Sequence, residues 1–368
     1  MKLHTESVIF VCDSKCFHSM DWYHQVQEIC PEKNVMFATD VIETDSTISL
    51  IKPNDKIVVL YDIYYLLRKK QSTISDIWRN LVKLGTTPLQ IKALRKLAKE
   101  YSDVIFHAHS MYYIFLCWLA RVKFIATPMG SDVLVRPDES GIYRYMTKKS
   151  LQAAYYITVD SVKMQHKIAE LSGRNSEVIQ NGIDVRSISS FVSDKINRKD
   201  IVSIRGFYPN YRIEKLMDAR EKSCPTVNIT FIYPFFEEGY KNEMKERMTP
   251  EDKDLGRLPK MELYKLLACT LLVVSIPESD SSPRSVYEAV FSGCCVAVSY
   301  SLWIDSLPAC MRARLIVVEL EYENWLDTAI TKAKQITATP YTPSTEALIE
   351  YDQYESMKKV CRDIYKII

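Results

Sequence analysis

Short apolar runs alternate with longer amphipathic stretches along almost the whole chain. In the first half the runs are SVIFVC, NVMFAT, KIVVLY, DVIFHA, KFIAT, YYITV and SEVIQN, separated by helical patterns such as LQIKALRKLAKEY and MYYIFLCWLARV. In the second half DIVSIR, NITFIY, LLVVSI, CVAVS and RLIVVEL repeat the scheme. Near-continuous apolar strands spaced by helices predict parallel sheets covered on both faces. Two such series, each long enough for its own sheet, predict an α/β protein of two Rossmann-like domains. A length of 368 residues agrees with two domains of ordinary size. The polar stretch SSFVSDKINRKD, which follows NGID, places the hinge between Asn181 and Asp200. The expected division is 1–185 and 186–350, with 351–368 as a terminal element. TEALIEYDQYESMKKVCRDIYKII reads as a last helix with no strand after it.

Composition narrows the class. Apolar residues make up 47% and charged residues 26%, as in ordinary globular proteins, and the net charge of +2 argues against a nucleic-acid binder. No uninterrupted apolar stretch approaches the roughly 20 residues that span a bilayer. The opening MKLHTESVIFVCDSK carries a short apolar run preceded by Glu6, expected as a strand and not as a signal sequence. Ten cysteines, two of them adjacent at Cys294 and Cys295, point to reduced thiols and a cytoplasmic setting. Cys12, Cys16 and His18 are spaced like no familiar metal site, and no metal is expected. The opening strand also lacks a G-x-G-x-x-G turn, which argues against a dinucleotide dehydrogenase.

The segment LLVVSIPESDSSPRSVYEAVFSGCCVAVS, residues 271–299, carries the most chemistry. It predicts a strand, a Ser-rich loop over 278–284, a helix ending at Gly293, and a second strand. Such a loop stands at the carboxyl edge of a sheet beside a helix N-terminus, where an anion such as a nucleotide diphosphate is favoured. Asp280 and Glu288, eight residues apart, suit hydroxyl groups and not phosphate, so a ribose or a sugar is the natural guest. An ordinary αβ unit with two solvated carboxylates would show the same spacing.

This segment resembles the acidic-x7-Glu signature of retaining GT-B glycosyltransferases, especially the family-4-like group. Asp280, Glu288, Ala289, Gly293, Val296 and Val298 fall in matching places. Asp280 replaces the usual first Glu, Ser281 a Gly, and Cys295 a Pro. A second landmark is DVIFHAHSMYYIFLCWLARVKFIATPMGSDVLV, in which His107, His109, Gly130, Ser131 and Asp132 match. Met129 stands where many relatives carry a histidine that touches the donor sugar. The third is DIVSIRGFYPNYRIEKLMDA, where relatives carry an Arg and a Lys that bind the donor diphosphate. Here Arg205 and Arg212 are the cations, and Tyr211 occupies the usual Lys position. Asn181-Gly182-Ile183-Asp184 resembles the turn that ends the first domain of this group. Asp252-Lys253-Asp254 resembles a metal-binding DxD motif, but it follows MTPE and no apolar strand, so it reads as a charged loop.

The resemblance implies a GT-B fold with two sheets facing across a cleft and a terminal helix crossing back to the first domain. It implies a retaining, metal-independent, cofactor-free glycosyltransferase whose co-substrate is a UDP- or GDP-sugar. The first domain would bind the acceptor and the second the donor. Asp280 would hold donor-sugar hydroxyls and Glu288 the ribose, with Gly130 and Ser131 against the sugar. Arg205 and Arg212, aided by Ser282 and Arg284, would hold the diphosphate. A solvated surface arginine remains the plain alternative for Arg284. His109 would polarise or deprotonate an acceptor hydroxyl, while His107 reads first as a hydrogen-bonded structural histidine. The implied acceptor is a glycan or lipid-linked oligosaccharide of bacterial surface polysaccharide: O-antigen, capsule or lipopolysaccharide. The stretch 66–124 holds Arg68, Lys69, Lys70, Arg79, Lys83, Lys92, Arg95, Lys96, Lys99, Arg121 and Lys123 against Asp76, Glu100 and Asp103. Trp78, Tyr112, Tyr113, Phe115 and Trp118 are interleaved. Such a stretch suits either a solvated helix face or peripheral contact with the inner face of the cytoplasmic membrane. A non-catalytic nucleotide-sugar-binding relative and a GT-B-fold sugar-nucleotide epimerase are the alternatives.

Overall fold

The structure is a computed structural model that describes residues 7–42, 49–63, 66, 73–101, 103–180, 182–193, 197–280 and 282–366, without the side chains of 73–77, 79 and 80. Arg68, Lys69, Lys70, Asn181 and Ser281, and the side chains of Asp76 and Arg79, lie outside the described residues. Two compact units are present: residues 1–181 with 354–368, and residues 182–353.

The first unit is built on seven strands: β1 Ser7–Val11, β2 Asn34–Thr39, β3 Ile57–Val59, β4 Val104–His109, β5 Phe124–Thr127, β6 Tyr156–Val159 and β7 Glu177–Val178. Their order is β3-β2-β1-β4-β5-β6-β7 and every pairing is parallel. Strand β1 is buried along its whole length, as an uninterrupted apolar run at the centre of a parallel sheet must be. One face packs against Leu94 and Leu97 of helix Thr73–Glu100, Ile114 and Cys117 of helix Met111–Ala120, and Leu151 and Ile168 of the next two long helices. The other face packs against Trp22, Tyr23 and Val26 of helix Phe17–Ile29, and against Val360, Cys361 and Ile364 near the end of the chain. The order reverses between β1 and β4. Their carboxyl ends form the switch point at which open α/β sheets bind ligands.

The second unit repeats this plan with β8 Asp200–Ser203, β9 Ile229–Ile232, β10 Lys253–Gly256, β11 Thr270–Ser275, β12 Cys295–Val298 and β13 Leu315–Val317. The order is β10-β9-β8-β11-β12-β13, again parallel, with the switch point between β8 and β11. Strand β10 corrects the reading of Asp252-Lys253-Asp254 as a charged loop. Its exposed edge residues carry no apolar run, so the strand is invisible to hydrophobic patterning. Asp252 is fully buried, ion-paired with the equally buried Arg220, and accepts the backbone N–H groups of Ile229 (2.7 Å) and Thr249 (2.8 Å). A buried carboxylate needs such a set of donors.

At the amino edge of this sheet the helices end, and their last carbonyls need donors. Arg198 donates to the carbonyls of Leu267 and Thr270 (both 3.2 Å) and of Ser292 (2.6 Å). Arg314 donates to the carbonyls of Gly293 (3.4 Å) and Thr339 (2.5 Å). Gly293 is required there: its φ is +86°, and a Cβ would lie 2.5 Å from Nη2 of Arg198.

The outgoing and returning chains pair where the units meet in sequence. The N–H of Ile183 donates to Tyr351 O (2.7 Å), and that of Gln353 donates to Ile183 O (3.0 Å). Gly182, at φ +64°, allows this approach, since a Cβ would stand 2.4 Å from the Cα of Gln353. The pairing breaks the single terminal helix expected from the sequence. Helix Thr345–Tyr351 stops at the extended Asp352, and helix Gln353–Lys359 then runs into a π-helical turn over Val360–Tyr365 in the first unit.

Candidate functional site

At the switch point of the second unit, Arg205 leaves the carboxyl end of β8 and Asp280 lies beyond the end of β11. The guanidinium donates through Nε to Ser275 Oγ (2.7 Å) and through Nη2 to Asp280 Oδ2 (2.6 Å). Its carbon lies 5.6 Å from the centre of the Tyr211 ring. A guanidinium has five N–H bonds, so three have no protein partner among the described residues. The side chains of Arg205 and Asp280 are 12% and 19% exposed, so the pair is partly desolvated yet reachable. Gly206, next along, is forced by the ring of Phe235, which a Cβ would meet at 2.4 Å.

Arg212 adopts φ +51° and turns back over the sheet edge. It donates to the carbonyls of Ile276 (2.8 Å) and Pro277 (2.7 Å) and to Ser299 Oγ (2.7 Å), pinning together the loops that follow β11 and β12. Three of its donors therefore serve the framework, and only Nη1 faces no protein acceptor among the described residues. On helix Arg284–Phe291, Arg284 and Glu288 face each other one turn apart, Nε to Oε1 at 3.7 Å. Buried Tyr264 donates to the same oxygen (3.1 Å). Oε2 of Glu288 has no partner among the described residues, so one oxygen is held and the other remains available to accept. Burial and the neighbouring carboxylate push the Tyr264 phenol far up, keeping it a donor. The amides of Arg284 and Val286 at the helix start already bond to Ser282 O (3.0 Å) and Pro283 O (2.8 Å). Charge at this edge therefore comes more from guanidinium groups than from a ring of free amides. Ser282 Oγ stands 3.5 Å from the Tyr287 hydroxyl.

The switch point of the first unit is built around two buried histidines. His107 and His109 share a face of β4, as residues two apart on a strand must. The ring of His107 is paired with the Tyr365 hydroxyl and, at 2.6 Å, with Thr127, which is bonded to Thr158 at 2.5 Å. His109 lies beneath Phe10 and Trp22, with ring centres 5.6 and 5.2 Å away, and neither of its nitrogens has a partner among the described residues. Burial first, and then nearby His18, lowers its pKa from 6.5 to about 3. His109 is thus a neutral imidazole at ordinary pH, suited to a hydrogen bond and not to carrying a proton between groups. Gly130 and Ser131 open the short helix Gly130–Leu134, and Ser131 is exposed. Asp132 secures that turn: its Oδ2 accepts the N–H of Met111 (2.9 Å) and of Met129 (3.3 Å).

The structure brings Arg205 to Asp280 and Arg284 to Glu288, all within the second unit. His109, Gly130 and Ser131 belong to the first. The sequence pattern alone did not single out Ser275, Tyr264 or Ser299. Ser275 ends an apolar run and Tyr264 lies inside an amphipathic helix, so neither carries a signal of its own. No three His, Cys, Asp or Glu side chains converge as a metal site among the described residues.

Residues 47–161 match a family model described as glycosyl transferase 4-like. No curated protein matches the chain. Among solved structures, the HepE protein of Anabaena, determined with UDP and glucose, superposes with a TM-score of 0.72 at 14% identity over 98% of this chain and 99% of that one. A glycosyltransferase from Rickettsia africae superposes at 0.69, with 12% identity over 98% of each chain. A protein from Listeria monocytogenes named as a UDP-N-acetylglucosamine 2-epimerase superposes at 0.61, with 12% identity over 99% of this chain and 97% of that one. The fold is therefore GT-B, and the resemblance to glycosyl transferase 4-like proteins holds over the matched segment, residues 47–161.

Proposed function

We propose that this chain is a glycosyltransferase that takes its sugar from a nucleoside diphosphate sugar. One observation carries the reading: Arg205, at the switch point of the second sheet, is held by Ser275 and, until a donor displaces it, by Asp280, and keeps three further N–H bonds uncommitted among the described residues. When the bond from the anomeric carbon to the β-phosphate oxygen breaks, negative charge grows on the departing diphosphate. A fixed, partly desolvated guanidinium stabilises that charge more than it stabilises the ground state. Asp280, relieved of Arg205, accepts sugar hydroxyls, and Glu288 accepts the ribose hydroxyls through the oxygen that Tyr264 leaves open. Arg212 acts mainly by holding the two loops in register, with Nη1 as its contribution to the anion. The similar fold of HepE, whose structure contains UDP and glucose, supports a uridine donor, with GDP-sugar as the other choice.

The finer reading is a retaining, metal-independent transfer. The acceptor oxygen attacks on the face that the diphosphate leaves, and a departing phosphate oxygen takes its proton. Neutral His109, with its low pKa, then needs only to orient a hydroxyl. The acceptor class is a glycan or lipid-linked oligosaccharide of bacterial surface polysaccharide. A second reading is favoured by the Listeria protein named as an epimerase, which shares the fold. Epimerisation consumes a sugar nucleotide without an acceptor, so incubation of donor alone separates the two.

The test is thermal unfolding with UDP, GDP, ADP and CMP and their sugar conjugates, on the native chain and on Glu288→Ala. A ligand at about 100 times its Kd adds about 2.7 kcal/mol to the folded state. Selective stabilisation by one nucleotide, lost in the variant, is the expected outcome. Absence of stabilisation by any of them removes the donor assignment and leaves a non-catalytic relative of the same fold.

A further inference from the structure

Helix Thr73–Glu100 divides its outer face lengthwise. Thr86, Gln90, Leu94 and Leu97 point inward and are buried. On the opposite side the first half exposes Trp78 (48%), Leu81 (57%), Leu84 (72%) and Leu89 (48%), with Gly85 and Pro88 between them. Continuing along that face, the second half exposes Lys92, Arg95, Lys96 and Lys99. At 100° per residue all of these fall within one side of the helix. Arg95 also donates to the carbonyls of Leu119 (3.1 Å) and Ala120 (3.2 Å), which anchors the basic half to the end of the neighbouring helix. From residue 77 to residue 99 the sequence contains no Asp or Glu.

Exposed leucines at this density on one helix do not pay for themselves in water. We propose that this face docks on an anionic lipid surface, with Trp78, Leu81, Leu84 and Leu89 in the acyl boundary and Lys92, Lys96 and Lys99 at the headgroup phosphates. Charge complementarity selects this occupant. A second copy of the chain would bring an equally acid-free basic half to the interface, and a protein partner would have to offer an acidic strip beside an apolar groove. A bilayer with anionic headgroups presents both features at once, at the depth difference that a helix apolar at one end and basic at the other requires. No described helix is long and apolar enough to cross a membrane, so contact would be peripheral. Pro88, lacking an N–H, leaves the carbonyl of Leu84 without its helical donor, a group that water at the headgroup level satisfies. The proposal is independent of the donor assignment, since it is read in the absence of any nucleotide.

The test is sedimentation of the full chain with vesicles of phosphatidylcholine alone and of phosphatidylcholine mixed with phosphatidylglycerol, at low and high salt. Two variants accompany it: Lys92→Ala/Lys96→Ala/Lys99→Ala and Leu81→Ser/Leu84→Ser/Leu89→Ser. All six positions are on the solvent-facing side, and unchanged circular dichroism and melting temperature verify the fold. The expected result is salt-sensitive binding to the mixed vesicles. Partitioning should weaken about fivefold for each lysine removed, on the order of a hundredfold for three. The leucine variant should lose about tenfold or more. A blue shift of tryptophan emission on mixed vesicles, absent in Trp78→Phe, should report the apolar half entering the boundary. Equal binding to both vesicle types with no effect of the lysine changes overturns the proposal, and so does failure to bind either. A dimer in solution that the leucine variant dissociates, without vesicle binding, overturns it in favour of an interface between copies.

Discussion

Replacing Asp280 with asparagine separates two roles that the proposed site gives to one carboxylate. In the free protein Asp280 accepts from Nη2 of Arg205 at 2.6 Å. A diphosphate that engages the same N–H must first displace it. Fully exposed pairs are worth about 0.2–1 kcal/mol, and hydrogen bonds to charged groups in more protected sites about 1.5–3 kcal/mol. With side chains 12% and 19% exposed, this pair lies between those limits. Asparagine keeps an acceptor oxygen but removes the charge, so roughly 1 kcal/mol of the displacement cost should disappear, about fivefold in affinity. Removing like-charge repulsion between the carboxylate and phosphate acts in the same direction. A nucleoside diphosphate without sugar should therefore bind Asp280→Asn more tightly than the native chain. Transfer should move the opposite way, because a carboxylate accepting sugar hydroxyls is lost. The decrease in kcat/KM should be about 10- to 100-fold, corresponding to a charge-assisted bond of about 1.5–3 kcal/mol. Calorimetry with the nucleoside diphosphate that gives the thermal shift, and initial rates with its sugar conjugate, measure the two effects. Unchanged or weaker nucleotide binding in the variant would refute the reasoning, since Arg205 would then not be the cation for which Asp280 and the diphosphate compete.

Three further outcomes are expected. Tyr264→Phe removes the hydroxyl that donates to Glu288 Oε1, and should weaken nucleotide binding about fivefold while melting close to the native temperature; equal affinity by calorimetry would exclude a positioning role. Asp252→Ala strands the buried Arg220 charge and the amides of Ile229 and Thr249. It should cost about 3–5 kcal/mol in denaturant unfolding, and a loss below about 1 kcal/mol would mean that Arg220 finds water. His109, held at about 3 against 6.5 when unfolded, should make stability depend on pH in a defined window. The unfolded chain takes up the proton below 6.5 and the folded chain does not until about 3, so stability is complete above that window and falls as pH drops through it. The slope is about 1.4 kcal/mol per pH unit for one group. Urea titrations of His109→Phe should show a dependence shallower by that amount, and an unchanged slope would mean that the imidazole is protonated in the folded state.

How much of this was legible depended on the kind of force involved. Strands β8 and β11 announced themselves because a central parallel strand must be apolar on both faces. Strand β10 did not, since an edge strand reading KDLG owes its place to hydrogen bonds and to the buried Asp252 before it. The positions of Arg205 and Asp280 at the sheet edge follow from strand ends, which sequence shows. The direction of the Arg212 guanidinium does not, because it turns on a left-handed backbone conformation at a non-glycine residue. Likewise, two residues apart on β4, His107 and His109 look alike in sequence. Their difference comes from Tyr365, which arrives from the far end of the chain to bond one and not the other. The break at Asp352 was hidden for a related reason: the helical pattern continues through it, while the pairing with Ile183 is long-range.

The two units share a topology but not an electrostatic character, and this bears on which substrate each suits. At the second switch point the polar groups are charged and, among the described residues, incompletely committed: Arg205 with spare donors, Arg212 with Nη1, and Glu288 with one oxygen. An anion arriving there finds cations already oriented, so little reorganisation opposes binding. At the first switch point burial keeps both histidines neutral, and His107 is already committed to Tyr365 and Thr127. Nearby Asp40 is held above the usual carboxylate range by burial and is bonded to Tyr113 and Gln90. A diphosphate there would lose its hydration and gain no countercharge from the buried imidazoles, whereas a neutral hydroxyl would lose much less and could satisfy a His109 nitrogen that has no partner among the described residues. Within the proposed function, the asymmetry suits a donor on the second unit and an acceptor on the first.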